Sequence, residues 1–312
     1  MAVVTTGFFD GVHLGHRYLL DTVVSSARER GEEAVVVTFW PHPRTVLQQD
    51  ARDLRLLTSL QEKKELLAAA GIDRVEVIPF TRDFAAMTAA DYLRMLRERF
   101  GASMLVMGYD NHIGSDRRTL RDIEEELSRN PSDLRSSSLP PVLNTGGPLP
   151  FTWPRAATGS ADSPSSIAVS STKIREALIA GDIDAANGML GYRYSLLGVV
   201  VAGNRLGRTI GFPTANMKLY EPLKLVPAVG VYAVDVEVLG RKYRGMTNIG
   251  VRPTVGGGGL TIETNIFDFD EDIYGLDIRI TFLARIRDER RFASLEELKE
   301  QLKQDKNRIS LK

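Results

Sequence analysis

The stretch AVVTTGFFDGVHLGHRYLL, residues 2–20, decides the fold of the first half of the chain. Its apolar start, residues 2–6, predicts a β-strand, and an amphipathic pattern over residues 14–30 predicts the helix that follows. Apolar runs and helical patterns continue to alternate, with strands predicted at 34–39, 74–78 and 104–107 and helices at 61–70 and 89–100. Continuous apolar strands separated by helices are typical of a doubly wound α/β domain, in which helices cover both faces of a parallel sheet.

The pattern changes twice further along the chain. Serine, proline and glycine predominate over about residues 131–166, where we expect a long, partly mobile loop, and helical periodicity returns over 172–191 to close the first domain. Predicted strands punctuated by glycines then indicate a closed antiparallel barrel that ends in an amphipathic helix over 294–303. The strands are expected at 196–202, 231–238, 243–249, 260–269 and 276–286. We therefore predict two domains, residues 1–187 and 188–312.

Composition excludes several classes of protein. Lys and Arg number 40 and Asp and Glu number 40, so no bulk positive field favours nucleic acid as a partner. The chain has no cysteine, which excludes disulfides, thiol chemistry and thiolate metal sites. No apolar run approaches the roughly 18 residues of a membrane span, and the N-terminus lacks the basic start of a signal peptide. We expect a cytoplasmic protein without membrane or nucleic-acid partners, and none of these features indicates an oligomeric state.

Two of the four histidines, His13 and His16, lie where the first strand turns into the first helix. The carboxyl ends of parallel strands bind ligands, and a helix N-terminus favours a phosphate. Residues three apart at a helix start face the same side, while Gly11 permits a sharp turn and Gly15 lets a planar base approach the backbone. Two imidazoles directed at one phosphate could stabilise the charge that develops during nucleotidyl transfer. The alternatives are two surface histidines or a zinc site, although no His-Glu-x-x-His pattern supports zinc.

A second segment, Ser170-Ser171-Thr172, precedes a predicted helix. Hydroxyl groups at this position often only cap a helix. Lys173 and Arg175 fall in the first turn, however, where cations oppose the helix dipole. A helix that begins with cations favours an anion nearby.

These motifs together resemble the nucleotidyltransferase superfamily, specifically the FMN adenylyltransferase module of bacterial FAD synthetases. The resemblance implies that ATP lies between the two motifs, with His13 and His16 near its phosphates and Arg175 at the leaving phosphates. The segment Phe39-Trp40-Pro41-His42-Pro43 resembles a family segment on the flavin side, although proline turns explain it nearly as well. The other nucleotide-binding residues that the resemblance implies are Gly7, Phe9, Asp10, Gly15, Asp110, Ser170, Ser171 and Thr172.

A glycine-rich stretch over residues 203–216 follows the first barrel strand. It is one residue short of a P-loop and carries Arg where Lys is required, so a hairpin loop is the simpler interpretation. Thr214 and Asn216 alternate, which places both side chains on one side of an extended chain, and their oxygens suit Mg²⁺. Glu263 lies on the strand face opposite Ile262 and Ile266. It is either an exposed strand carboxylate or the base that accepts a proton from an attacking hydroxyl group.

The motif Gly-Arg-x-x-Gly-Phe-Pro-Thr-Ala-Asn, residues 207–216, resembles the signature of riboflavin kinase. Further matches lie at residues 230–232, 248–254, 274–275 and 287–289. The resemblance implies a small β-barrel kinase with Thr214 and Asn216 at Mg-ATP and Glu263 as the base toward the 5′-hydroxyl of riboflavin. The other implied binding residues are Gly203, Gly207, Arg208, Gly211, Pro213 and Asn248.

The two modules in this order resemble the prokaryotic bifunctional riboflavin kinase/FMN adenylyltransferase family. The predicted architecture is a Rossmann-like nucleotidyltransferase domain followed by a small antiparallel barrel with a C-terminal helix. The predicted function is phosphorylation of riboflavin to FMN and adenylylation of FMN to FAD, with Mg²⁺ and ATP. Residues 111–168 depart from the usual family pattern, so a kinase with a weak or inactive adenylyltransferase module is an alternative. A non-catalytic flavin-binding protein is another.

Overall fold

The computed structural model describes residues 1–48, 53–108, 112–119, 122, 142–144, 169–203, 206–252 and 259–310. The chain divides into two compact units, Met1–Ser170 and Ser171–Lys312, and each is described by itself. Within the described ranges, no helix has both the length and the apolar character to cross a membrane.

The first unit contains a parallel sheet in the order β3-β2-β1-β4-β7. The strand order reverses between β1 and β4, and such a switch point is where open α/β sheets bind ligands. A two-stranded antiparallel ribbon, β5-β6, stands apart from this sheet. The strands are β1 (Ala2–Thr6), β2 (Glu33–Trp40), β3 (Arg74–Pro79), β4 (Ala102–Met107), β5 (His112–Ile113), β6 (Arg118–Thr119) and β7 (Val142–Asn144).

Helices cover both faces of this sheet, which confirms the predicted doubly wound α/β fold. Leu20 of α1 and Leu67 of α3 pack with Val36 in one core cluster. Leu96 of α5 packs with Val37, its neighbour in β2, in a second cluster on the opposite face. The helices are α1 (Leu14–Arg30), α2 (Pro43–Leu47), α3 (Leu60–Ala69), α4 (Arg82–Ala85) and α5 (Ala89–Phe100).

The predicted loop over residues 131–166 lies outside the described residues except for Val142–Asn144. These three residues form β7, which pairs in parallel with β4. The loop prediction was therefore wrong for this short segment. Hydrogen bonding to a neighbouring strand overrides the local composition there, a long-range effect that glycine and proline content does not report.

The second unit is a closed barrel in the order β10-β11-β12-β9-β8-β13, with antiparallel neighbours and a C-terminal helix, as predicted. The sequence missed β9, because its glycine- and proline-rich lead-in reads as a loop. The elements are α6 (Ser171–Ala180), α7 (Ile183–Leu190), β8 (Ser195–Val201), α8 (Leu206–Thr209), β9 (Ala215–Leu219), β10 (Gly230–Val238), β11 (Arg241–Arg252), β12 (Gly259–Ile266), β13 (Asp277–Arg287) and α9 (Leu295–Ser310).

Helices α6 and α7 belong to the compact unit that contains the barrel, whereas the sequence placed the domain boundary after residue 187. Asn187 ties α7 to the barrel: its amide donates to the carbonyl of Phe282 at 3.2 Å and accepts from the backbone N–H of Tyr194 at 2.7 Å. In α6, the carbonyl of Leu178 accepts from the N–H of Ala228 at 3.0 Å. These hydrogen bonds explain why α6 and α7 group with the barrel, and the predicted domain boundary stays a prediction.

Candidate active sites

The loop after β1 brings the two histidines together. Phe9, Gly11 and Val12 have φ angles of 51°, 83° and 36°, so three left-handed residues turn the chain sharply into α1. His13 caps this helix, and its Nδ1 accepts a hydrogen bond from the backbone N–H of His16 at 3.3 Å. The two imidazole rings stack with centroids 3.7 Å apart and planes 14° from parallel.

The environment of His16 favours its neutral form. Burial, the neighbouring His13 and the nearby Lys63 hold the pKa of His16 well below 6.5. His16 is therefore uncharged at neutral pH, and its buried Nδ1 has no hydrogen-bond partner in the described part of the chain. Nδ1 of His13 acts as an acceptor, which leaves Nε2 as the N–H donor of that ring. The pair can thus present N–H donors, and His16 does so without carrying charge.

Three other predicted residues of this loop support its shape. Asp10 is buried and accepts hydrogen bonds from the backbone N–H groups of Leu57 at 2.9 Å and Thr58 at 3.1 Å, which ties the loop to that segment. A Cβ at Gly15 would lie 3.2 Å from the His13 ring, and one at Gly7 would lie 3.1 Å from the Phe9 ring. Both glycines therefore leave room for the aromatic rings of this loop.

Phe9 is itself buried, and its ring meets the edge of His16 with centroids 5.3 Å apart. The side chain packs in the core cluster with α1 and α3. Its contacts thus orient the His16 ring from the core.

The segment predicted for the flavin side lies at the carboxyl end of β2, next to this loop. The Trp40–Pro41 bond is cis, and His42 caps α2 by accepting from the N–H of Arg44 at 3.0 Å. The Phe8 ring stacks toward Trp40 with centroids 6.3 Å apart and meets His42 edge-on at 4.3 Å. These rings form an aromatic wall beside the histidine pair.

Lys63 of α3 lies near His16 and Phe8, and the sequence analysis did not single it out. Its Nζ lies 3.4 Å from the centroid of the Phe8 ring, and its side chain is fully buried. The next residue, Lys64, is exposed on the same helix. No local signal separates two adjacent lysines, so only the three-dimensional structure identifies the buried one.

The Ser-Ser-Thr segment spans the division of the chain, because Ser170 ends the first unit and Ser171 begins the second. Helix α6 begins at Ser171, and its first turn contains no acidic residue. Thr172 and Lys173 are exposed, whereas Ser170 and Arg175 are half-buried. The joint role of this segment and the histidine pair stays a prediction.

Asp110, the predicted residue at the end of β4, lies outside the described residues, as does the side chain of Arg208. Both assignments therefore stay predictions as well.

The barrel brings three predicted residues into one row. Glu263 of β12 pairs in register with Asn216 of β9 on one side and with Asn248 of β11 on the other. Directly opposed residues of antiparallel strands point to the same face, with Cβ atoms about 4.5–5.5 Å apart. The next residues, Thr247 and Thr264, point the other way and share a buried hydrogen bond of 2.8 Å. The carboxylate and two amides therefore lie together, on the face opposite this buried pair.

The glycine-rich loop shapes one end of this row. A Cβ at Gly203 would lie 2.1 Å from Nδ2 of Asn216, so the amide occupies space that only glycine leaves open. A Cβ at Gly207 would lie 2.2 Å from the carbonyl oxygen of Phe212, whose N–H donates to the Gly207 carbonyl at 2.8 Å. Gly211 completes the turn with a φ of 81°. The two close approaches explain the glycines of the motif.

The end of the loop is fixed and borders a cavity. Asn265 donates to the carbonyl of Pro213 at 2.7 Å, which holds the chain just before Thr214. Thr214 lines a cavity of about 270 Å³ at one side of the barrel. Apolar and acidic side chains make up much of its other lining, among them Val200, Ile266, Phe269, Asp270 and Asp272.

Comparisons with known proteins match each unit to an enzyme family. Residues 1–144 match the FAD synthetase family model, and residues 190–311 match the riboflavin kinase family model. The chain is 35% identical over 309 residues to the bifunctional riboflavin kinase/FMN adenylyltransferase of Bacillus subtilis strain 168, which covers 98% of this chain and 90% of that protein. It is 36% identical over 306 residues to the protein of the same name from Escherichia coli K12, with 97% and 90% covered.

A solved structure shares the architecture of the whole chain. A crystal structure described as a macrolide-efflux protein from Streptococcus pneumoniae is 33% identical, covers 98% of this chain and 93% of its own, and has a TM-score of 0.83. Its description names another activity, whereas both family models and the curated relatives agree with each other. The chain therefore belongs to the family of bifunctional riboflavin kinase/FMN adenylyltransferases.

Proposed function

We propose that this chain phosphorylates riboflavin to FMN in its barrel unit and adenylylates FMN to FAD, with release of pyrophosphate, in its α/β unit. The observation that carries the proposal is that each unit brings its own set of polar side chains together. Paired strands do so in the barrel, and one loop does so in the α/β unit. The barrel aligns Glu263 with Asn216 and Asn248, and the β1–α1 loop stacks His13 on His16. Each set suits one of the two reactions named for the relatives.

In the barrel, Glu263 would accept the proton of the riboflavin 5′-hydroxyl group. The hydroxyl oxygen then forms a bond to the γ-phosphorus of ATP while the bond from that phosphorus to ADP breaks. Asn216, directly opposite, and Asn248, on the other side, offer amide groups that orient substrate oxygens beside the carboxylate. The carboxylate thus takes up the proton, the flavin takes up the phosphoryl group, and ADP leaves.

The hard oxygens of Thr214 and Asn216 suit Mg²⁺, and the space beside Gly203 seats the Asn216 amide. These two residues would hold the ion that accompanies ATP, and the bound ion would neutralise phosphate charge. The cavity beside Thr214 is also lined by Thr264 and Ile266, which lie on the strand face opposite Glu263, so we assign no substrate to it. We assign ATP to the end of the row at Thr214 and Asn216.

In the α/β unit, an oxygen of the FMN phosphate would attack the α-phosphorus of ATP, and the bond to the pyrophosphate oxygen would break. His13 and His16 would donate N–H groups to the α-phosphate oxygens as negative charge develops on them. Because His16 is held neutral, it acts as a donor rather than as a proton source. The role of Arg175, Ser170, Ser171 and Thr172 at the leaving phosphates, which the family resemblance implies, stays a prediction.

A riboflavin kinase with a weak adenylyltransferase module is the second candidate. The observation that favours it is the departure of residues 111–168 from the family pattern. A cytoplasmic location, and the absence of nucleic-acid and membrane partners, stay predictions.

The test is a chromatographic time course of riboflavin with purified protein, ATP and Mg²⁺. Transient FMN followed by FAD is the expected result. Accumulation of FMN alone would replace the proposal with the second candidate. No conversion, combined with measurable flavin binding, would favour the non-catalytic binding protein.

A further inference from the structure

Lys63 is a buried cation at the floor of the histidine site. It belongs to α3, whose start is fixed by a capping box between Ser59 and Glu62. The side chain has 0% exposure, and Nζ lies 3.4 Å from the centroid of the Phe8 ring and 5.8 Å from that of Trp40. The helix therefore directs its ammonium group under the loop that follows β1.

The hydrogen-bonding capacity of this ammonium group is unused. Nζ is buried and has no hydrogen-bond partner among the residues that the structure describes, although an ammonium group offers three donors. Asp10 is close enough to favour the charged form, but its oxygens accept from the backbone of Leu57 and Thr58. A cation–π contact with Phe8 compensates only part of the cost of burying a charge. A further anionic partner would complete the site.

The surroundings indicate which kind of anion fits. The charge of Lys63 is one of the three causes that lower the pKa of His16, so the ammonium group lies near the imidazole. Imidazole N–H donors and a buried cation together form a binding set for phosphate oxygens. The half-buried Phe8 ring covers Nζ, and a rotation of that ring would give a ligand access to it.

We propose that Lys63 is a phosphate-binding residue of the adenylyl-transfer site, an inference that rests on the proposed adenylylation of FMN. Its ammonium group donates hydrogen bonds to a phosphate oxygen of ATP or of FMN when the substrate is bound. The competing explanation is that Lys63 only supports the Phe8–Trp40 wall from below. The two explanations differ in what happens when the charge is kept but the side chain is changed.

The experiment uses the full-length protein with Lys63→Met, Lys63→Arg and the matched control Lys64→Met, whose residue is exposed on the same helix. Adenylylation of added FMN is measured at varied ATP and varied FMN. We expect Lys63→Met to lower kcat/KM by on the order of 10²-fold, Lys63→Arg to recover most of that loss because it keeps the charge, and Lys64→Met to change nothing. The Tm and the far-UV circular dichroism of each variant verify that it is folded, and riboflavin phosphorylation verifies the barrel unit.

The affected KM identifies the source of the phosphate, because a larger KM for ATP assigns it to the nucleotide and a larger KM for FMN to the flavin. A pH profile of kcat/KM distinguishes phosphate binding by Lys63 from mere support of the Phe8–Trp40 wall. Burial lowers the pKa of Lys63 to about 8, against the opposing effect of Asp10, and His16 faces the same group without charge. The kcat/KM of the wild type should therefore fall above about pH 8, and Lys63→Arg should lose that decline.

The proposal is overturned if Lys63→Met matches Lys64→Met, or if Lys63→Met and Lys63→Arg lose activity equally and leave the pH profile unchanged. A wild type that makes no FAD would instead refute the proposed function. In that case inorganic pyrophosphate tests Lys63 directly. It should raise the Tm of the wild type and of Lys64→Met but not of Lys63→Met, and an equal rise in all three overturns the assignment.

Discussion

The histidine site and the barrel row hold their polar groups by different physical means. His13 and His16 are placed by a sharp left-handed loop and a helix start, and burial changes the proton affinities of His16 and Lys63. Asn216 and Glu263 are placed by strand register, and both are half-buried. Activity at the histidine site should therefore depend mainly on charge and pH. Activity at the barrel row should depend mainly on the functional groups of its side chains and on the space available to them along the strands.

The largest expected effect tests whether each site serves one reaction. Glu263→Gln keeps the size of the side chain and removes the base, so riboflavin phosphorylation should fall about 10²- to 10⁴-fold. Adenylylation of added FMN should be unchanged, because the histidine site does not use this carboxylate. Both rates are measured on the same preparation.

The matched control is Glu237→Gln, which changes an exposed carboxylate on another barrel strand. This variant should retain both activities. Loss of both activities in Glu263→Gln alone would contradict the division of labour between the units.

The next effect concerns the histidine pair. His16→Ala removes a donor to the α-phosphate, and adenylylation should fall about 10²- to 10³-fold while riboflavin phosphorylation continues. Because the pKa of His16 lies well below 6.5, the wild-type rate should show no decline from protonation of His16 near that pH. A decline near pH 6.5 that His16→Ala abolishes would show a charged imidazole in the reaction instead.

The same histidine links stability to pH. Its pKa is lowered in the folded state, so below about pH 6.5 the unfolded chain binds a proton that the folded chain does not. The free energy of unfolding should therefore decrease as pH falls below about 6.5, and His16→Ala should lessen that decrease. Urea unfolding at pH 7.5 and pH 5.5 measures the difference.

A steric change should affect the barrel row more moderately. Gly203→Ala introduces a Cβ 2.1 Å from Nδ2 of Asn216, which must displace the amide from its place beside Glu263. We expect the KM for ATP in riboflavin phosphorylation to rise on the order of tenfold, which corresponds to about 1.4 kcal/mol. Gly259→Ala is the control, because a Cβ there meets nothing within 4 Å. Equal kinetics for the two variants would remove Asn216 from the ATP site.

Much of the fold follows from local sequence patterns. The predicted bounds of β1, α1 and α5 coincide with Ala2–Thr6, Leu14–Arg30 and Ala89–Phe100, because apolar periodicity and caps are local properties. β9 and β7 were missed, since each short strand owes its existence to a distant partner. Local patterns thus predict the elements and fail where pairing alone defines a strand.

The site residues also differ in whether a local sequence pattern predicts their position. The approach of His13 and His16 follows from their spacing of three residues at a helix start. The alignment of Glu263 with Asn216 depends on which strands pair, and the burial of Lys63 depends on packing against the loop that contains Phe8. Neither can be read from neighbouring residues.

The smallest expected effect separates support of a site from participation in it. Ser59 accepts from the N–H of Glu62 at 3.2 Å, while the Glu62 carboxylate accepts from the N–H of Ser59 at 2.8 Å. Ser59→Ala removes this cap from the helix that carries Lys63 and should cost about 1 kcal/mol. The matched variant Ser294→Ala removes an acceptor for the N–H of Glu297 in α9 of the other unit.

Amide hydrogen exchange should increase in α3 for Ser59→Ala and in α9 for Ser294→Ala, with each activity changed by no more than about twofold at 25 °C. A helix that is folded most of the time still presents its side chain, so a modest loss of stability leaves kcat/KM nearly intact. If Ser59→Ala instead lowered adenylylation as far as Lys63→Met does, the effect of Lys63 would reflect the order of α3. Packing of α3, and not the charge of Lys63, would then determine the activity of the histidine site.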